Sequence, residues 1–154
     1  MHYTAYATKC IAGDMSPTAD GQVGDYDMAW EVEFTDEFGV WWAELTEDEQ
    51  DAIDRTVGLL EERGPTLGYP YSSDVKGSRH GRMRELRVQQ GGKPIRVFYA
   101  WDPRRVCLLL IGGDKTGDNQ FYERMVAIAN DLYDEHLETL LREDERDKGR
   151  GKGG

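Results

Sequence analysis

Apolar residues along this chain follow two spacings, and the switches between them outline its elements. Trp30, Val32 and Phe34 occupy every second position within 29–34, the pattern of a half-buried strand. Thr35 and Asp36 then open a short helix carrying Phe38, Trp41, Trp42 and Leu45. Thr46 with Glu49 three residues on is a capping-box signature, and Ile53, Val57 and Leu60 follow at helical spacing until Gly64 and Pro65 stop the run. The two segments predict a helical hairpin. A connection rich in Gly, Pro, Tyr and Ser, Gly64 to Gly81, leads into two strand-like runs, 83–88 and 94–99, separated by Gly91 and Gly92. Asp102-Pro103-Arg104-Arg105 has Pro at the second position of a turn, and Val106 to Ile111 is apolar throughout, as in a central strand covered on both faces. Gly112 to Gly117 is expected to end the sheet. From about Gln120, Phe121, Met125, Ile128, Leu132, Leu137 and Leu140 recur at helical spacing. The expected class is α/β, in detail α+β: an N-terminal strand, a helical hairpin, a three-stranded antiparallel meander and a C-terminal helix.

The same pattern sets the expected boundaries. Residues 1–27 mix Gly, Asp, Ser, Thr and Pro without either period and predict a disordered leader. The folded domain is expected over 28–141. Residues 142–154 are charged, then rich in Gly and Lys, with no apolar face, which predicts a frayed or disordered tail.

If Gly91 and Gly92 are the central residues of a hairpin, Arg87 lies directly opposite Arg96 and Leu86 opposite Val97. A four-residue loop would offset the arginines but keep them on one face, whereas a three-residue loop would flip the parity. Like charges facing each other across a strand pair are destabilising, so such a pair calls for an anion between them.

Charge sharpens this picture. The chain of 154 residues has a formal net charge of −11 at pH 7. The acidity is concentrated at the ends: residues 1–62 hold two basic and sixteen acidic side chains, residues 63–125 hold twelve basic and six acidic, and residues 126–154 hold five and eight. The middle is therefore locally basic, and the acidic positions read as solvated helix faces. No run approaches the roughly 20 apolar residues of a membrane helix, and the N-terminus lacks a signal-peptide pattern, so a cytoplasmic protein is expected. Cys10 and Cys107 lie far apart, and His2, His80 and His136 are dispersed, which leaves a metal site or a disulfide framework little to stand on. Neither metal nor cofactor is expected. Lys115-Thr116 after Gly112-Gly113 superficially resembles a phosphate-binding loop, but the glycine spacing is wrong for the Walker motif.

The element order, combined with Lys76-Gly77-Ser78-Arg79-His80, Arg84-Glu85-Leu86-Arg87, Ile95-Arg96-Val97-Phe98-Tyr99 and Gly113-Asp114-Lys115-Thr116-Gly117, resembles the RelE/ParE superfamily of type II toxin–antitoxin toxins, and within it the phage-derived HigB-like branch. The match covers roughly Met28 to Leu140. The resemblance implies a RelE-like fold and a toxin held inactive by an antitoxin, expected to be a small helix-turn-helix DNA-binding protein. In many relatives the toxin is a ribosome-dependent endonuclease that cuts messenger RNA, so ribosome and mRNA are implied partners. The ParE side of the superfamily instead inhibits DNA gyrase without catalysis.

Metal-free RNA cleavage requires a deprotonated 2′-hydroxyl attacking in line, a stabilised phosphorane and a protonated 5′-oxygen. Arg87 and Arg96 are the first candidates for gripping the scissile phosphate, and a salt-bridged pair is their alternative. Glu85 is a candidate general base or a counter-ion to the arginines, the latter preferred. His80 is a candidate for proton transfer or a solvated loop residue. Lys115 contacts phosphate or lies on the surface. Lys76, Arg79 and Arg84 are candidate RNA contacts, and Tyr122 is open between stacking a base and joining the core. Tyr99 is expected in the core, and His136 within the amphipathic helix leaves the general acid unassigned. One of the adjacent Trp41 and Trp42 is expected to point away from the core and to offer a patch to a partner.

Overall fold

The computed structural model describes Thr4, Ala5 and residues 29–153. Apart from Thr4 and Ala5, the expected leader lies outside the described residues. The elements run β1 (Thr4–Ala5), β2 (Val32–Phe34), α1 (Asp36–Ala43), α2 (Glu47–Arg63), a 3-10 turn at Gly64–Thr66, β3 (Ser72–Asp74), β4 (Arg84–Gln90), β5 (Lys93–Trp101), β6 (Cys107–Asp114) and α3 (Phe121–Gly153). They form one sheet in the order β1-β2-β6-β5-β4-β3. The α+β architecture of N-terminal strand, helical hairpin, three-stranded meander and C-terminal helix is present as expected.

Local chemistry explains the helix ends. The Thr35 side chain accepts from the Phe38 N–H and opens α1, while Thr46 and Glu49 satisfy each other's backbone donors in a full capping box that opens α2. Each face of the sheet then buries its own apolar set. Leu86, Val88, Val97 and Leu109 pack with Phe38, Ile53, Val57 and Leu60 of the helical hairpin. Phe98, Leu108 and Leu110 pack with Phe121, Met125, Val126 and Ala129 of α3. Because β6 is covered on both sides, its uniform apolarity has the expected cause.

Several details depart from the expectations. The strand expected over 29–34 is β2, which spans only Val32–Phe34 and pairs parallel with β6; Trp30 lies outside it, its N–H on the Glu61 carbonyl at 2.9 Å and its ring against Trp101. The presumed loop 64–81 contains β3, paired antiparallel with β4. Its Ser72-Ser73-Asp74 lacks apolar alternation because side-chain hydrogen bonds, rather than packing on both faces, hold its residues. The sheet does not end at Ile111: β6 continues through Gly112 and Gly113, where a Cβ on Gly112 would overlap the Trp41 ring and one on Gly113 would come within 2.9 Å of Phe121. The glycines there admit two aromatic rings to opposite faces. Trp41 and Trp42 both pack partly buried against the core cluster, with Phe38 5.5 Å and 6.0 Å from their rings, so neither stands clear as an isolated patch. Helix α3 extends past 141 through the charged segment, which carries the i,i+4 pairs Glu138–Arg142 and Asp144–Lys148. No helix among the described residues is long and apolar enough to cross a membrane.

Candidate functional site

Arg87 pairs with Arg96, Leu86 with Val97 and Glu85 with Phe98 across β4 and β5. Alternation along β4 sends Leu86 and Val88 to the helical hairpin and Glu85 and Arg87 to the face of α3, where Phe98 meets Phe121 and Tyr122. Ser73, opposite Glu85 on β3, reaches the same face.

The anion between the two arginines comes from the chain itself. Glu85 is only 4% exposed. It accepts from Tyr122 Oη at 2.7 Å and from Ser73 Oγ at 2.9 Å, with Arg87 Nη1 at 3.4 Å and Arg96 Nε at 3.8 Å. The neutral donors are therefore tight and the cationic ones loose, since a good guanidinium–carboxylate bond is nearer 2.8 Å. Arg96 is buried and gives Nη1 to its own neighbour's carbonyl, Ile95 O at 3.0 Å, while its buried Nε makes no hydrogen bond. An unsatisfied buried donor of this kind costs about 1–3 kcal/mol. The Arg87 side chain, 29% exposed, lies 5.4 Å from the ring of the solvent-exposed Tyr69. The Lys115 amine lies 5.3 Å from the Tyr122 ring.

Burial, reinforced by the hydrogen bond to Glu85 and its charge, raises the Tyr122 phenol above its ordinary value. It therefore stays protonated near neutrality as a donor to the carboxylate. A phosphate reaching Arg87 would exchange a 3.4 Å contact for bidentate donors and would meet Lys115 across the Tyr122 ring, so the arrangement can neutralise an oxyanion at small internal cost. Lys76 joins this neighbourhood through a groove of about 320 Å³ that it lines together with Tyr122, Glu123 and Asn130.

The structure thus brings together Glu85, Arg87, Arg96, Tyr122 and Lys115, with Lys76 across the adjoining groove. It does not bring Arg79, His80 or Arg84 to them. Arg79 is held by Asp131 at 3.2 Å and by Asp134, and His80 Nε2 lies 2.8 Å from Asp134, with its ring edge-on to Tyr133. These carboxylates stand nine to twelve residues beyond Tyr122 on α3, or roughly 14–18 Å along the helix axis. The Arg79 hydrogen bond, opposed by burial and aided by His80, lowers the Asp134 carboxyl below its ordinary range. Arg84 projects to the opposite side of β4, where it donates to Ser72 Oγ at 3.0 Å and pairs with Asp74. Tyr99 is core, its hydroxyl 2.5 Å from Ser72 Oγ.

Ser73 and Tyr69 went unnoticed in the sequence because they lie in the segment read as a connection. A second polar centre was missed altogether. Asp102 Oδ2 lies 2.7 Å from His136 Nε2 and accepts from Arg104 Nη2 at 2.7 Å, while Oδ1 accepts the backbone N–H of Arg104 at 2.8 Å and of Val106 at 3.2 Å. Burial opposes ionisation of this carboxyl, but the hydrogen bonds from His136, Arg104 and Val106 outweigh it and hold the pKa at about 2. His136 is fully buried, so it has no route to a substrate. Burial likewise pushes the Cys107 thiol up, away from nucleophilic use.

The fold and the basic, glutamate-braced sheet face describe a small α+β domain of RelE-like type. Residues 40–134, more than half of the chain, match the model of the phage-derived Gp49-like protein family (DUF891), and the chain belongs to that family. It is 33% identical over 128 residues to HigB2, described as a candidate toxin of Mycobacterium tuberculosis (strain ATCC 25618 / H37Rv), across 82% of this chain and 63% of HigB2. It is 38% identical over 91 residues to HigB3, a candidate toxin of the same organism, across 58% of this chain and 78% of HigB3. The chain thus spans less than two thirds of HigB2. No solved structure matches it.

Proposed function

We propose that this chain is the toxin of a type II toxin–antitoxin system, acting in the cytoplasm as a ribosome-dependent endonuclease on messenger RNA and restrained by a helix-turn-helix antitoxin. The observation that carries the activity is the gathering of Arg87, Arg96 and Lys115 around the Glu85–Tyr122 pair on one sheet face. The toxin names of the two relatives support the class. In this reading the 2′-hydroxyl attacks the adjacent phosphorus and the 5′-oxygen leaves, giving a 2′,3′-cyclic phosphate and a 5′-hydroxyl end. Arg87, the accessible guanidinium, grips the scissile phosphate and Arg96 supports the growing charge from beneath. Lys115 neutralises the departing oxygen. Glu85 positions the arginines, because its oxygens already receive Tyr122, Ser73 and Arg87.

A second reading has its own observation. Glu85 already compensates both arginines, as in a purely structural ion cluster, and this favours a ParE-like toxin that inhibits gyrase or another target by binding. Inducible expression of the wild type and Arg87→Ala, with growth curves and mapping of message 5′ ends, separates the two. Arrest with new 5′ ends in the wild type alone supports the endonuclease. Arrest with intact messages in both moves the binding reading to first place.

A further inference from the structure

A second basic feature lies apart from the Glu85 site, at the end of the sheet where β4 starts and β5 finishes. A groove of about 540 Å³ has Asp74, Arg82, Arg84, Trp101, Asp102 and Arg105 in its lining, with Asp102 already held by Arg104 and His136. Asp74 pairs with Arg84, but Arg82 and Arg105 have no carboxylate partner among the described residues. Arg105 holds an unusual position. Its backbone has φ +67°, the left-handed region that disfavours side chains, at a turn where glycine or asparagine would be at ease. From there its guanidinium lies 5.4 Å from the Trp30 ring, and Trp30 packs edge-on against Trp101 at 5.3 Å. The Trp101 indole Nε1–H is buried and meets no acceptor.

The geometry points to a binding site for single-stranded RNA in this groove, with Arg82 and Arg105 taking phosphate oxygens of the strand. Guanidiniums that no carboxylate neutralises are what proteins set along a groove to follow a nucleic-acid backbone. Two exposed guanidiniums without a carboxylate partner among the described residues make a ligand with several successive phosphates the best complement; a monocarboxylate would satisfy only one of them. None of Glu85, Arg87, Arg96 and Lys115 lines the groove, so a strand there would be held without being cut. The inference rests on the reading of this chain as a protein that acts on RNA, and it adds a separate holding site to the cleavage face.

The test is fluorescence anisotropy of the full chain with a labelled 2′-O-methyl oligoribonucleotide, which cannot be cleaved, across a salt series. The double variant Arg82→Ala/Arg105→Gly is expected to lose about tenfold or more in affinity, and its slope of log K against log salt should fall by about 2, one for each lost phosphate contact. Glycine adopts φ +67° freely, so Arg105→Gly by itself should keep or raise the melting temperature, and lost binding is then not lost folding. Equal affinity and slope in the double variant and wild type would overturn the site, as would absence of binding by the intact chain. Message cleavage in cells is read separately. Cut messages with unchanged oligonucleotide binding would remove this groove and leave the endonuclease standing, whereas lost binding with intact messages would do the reverse.

Discussion

Glu85 and Asp102 are both buried carboxylates on the side of the sheet that α3 covers, and each is met by a helix residue and by arginine. They differ in how tightly the arginine holds them. Asp102 takes both Nε and Nη2 of Arg104, at 2.9 and 2.7 Å, and His136 at 2.7 Å. Glu85 is gripped by Tyr122 and Ser73, while Arg87 and Arg96 stand off at 3.4 and 3.8 Å. The first cluster is closed and spends its charges internally, pinning the β5–β6 turn to α3. The second leaves guanidinium donors underused at a surface that a ligand can reach. In a buried ion cluster, the length of the cationic contacts separates a clamp from a site able to exchange its anion.

Breaking the clamp should have the largest effect. Asp102→Ala removes the buried acceptor that His136, Arg104 and two backbone N–H groups share, and is expected to cost about 3–5 kcal/mol of stability, read as a lowered urea midpoint. A loss below about 1 kcal/mol would show that the cluster is relaxed rather than clamping.

Acid probes the same contrast without mutation. The Asp102 carboxyl titrates at about 2 when folded, against its ordinary 3.8. Its contribution is therefore whole above about pH 4 and drains away as pH falls through 2, and the full difference amounts to about 2 kcal/mol. Urea midpoints measured from pH 5 to pH 2 should fall more steeply for wild type than for Asp102→Asn. Parallel curves would refute the assignment.

The Glu85 cluster should respond more gently. Tyr122→Phe removes the 2.7 Å donor to Glu85 and should cost about 1 kcal/mol, visible as a small drop in melting temperature. Arg87→Ala removes a long, partly exposed ion pair and should shift stability by about 0.5 kcal/mol, even though it should abolish growth arrest. A collapse of the fold in this variant would place Arg87 among structural ions and favour the non-catalytic reading.

These clusters also mark where sequence reasoning reached and where it stopped. The helical hairpin was legible because Thr46-Glu49 and Gly64-Pro65 act within a few residues of themselves. The facing arginines were legible because a two-residue glycine turn sets register by counting. The strand Ser72–Asp74 was not, since a short polar strand held by Ser72–Tyr99 and Ser73–Glu85 bonds carries no periodic signal. His80, Arg79 and Arg84 looked like neighbours of Arg87 because they are near it in the chain; α3 and the pleat of β4 separate them. The clamp was invisible for the opposite reason, because Asp102 and His136 are 34 residues apart and each has an ordinary local explanation.

The sequence by itself determined the α+β class, the order of the principal elements and the basic character of the central strands, all of which follow from spacing and charge along the chain. Tertiary structure alone decided that Lys115 joins Arg87 and Arg96 while Arg79, His80 and Arg84 do not, that Tyr122 and Ser73 hold Glu85, and that β2 runs parallel beside β6. The reason is physical: local spacing sets which way a side chain points, but a partner's position depends on how the helix packs over the sheet, a relation between segments that no single stretch of sequence contains.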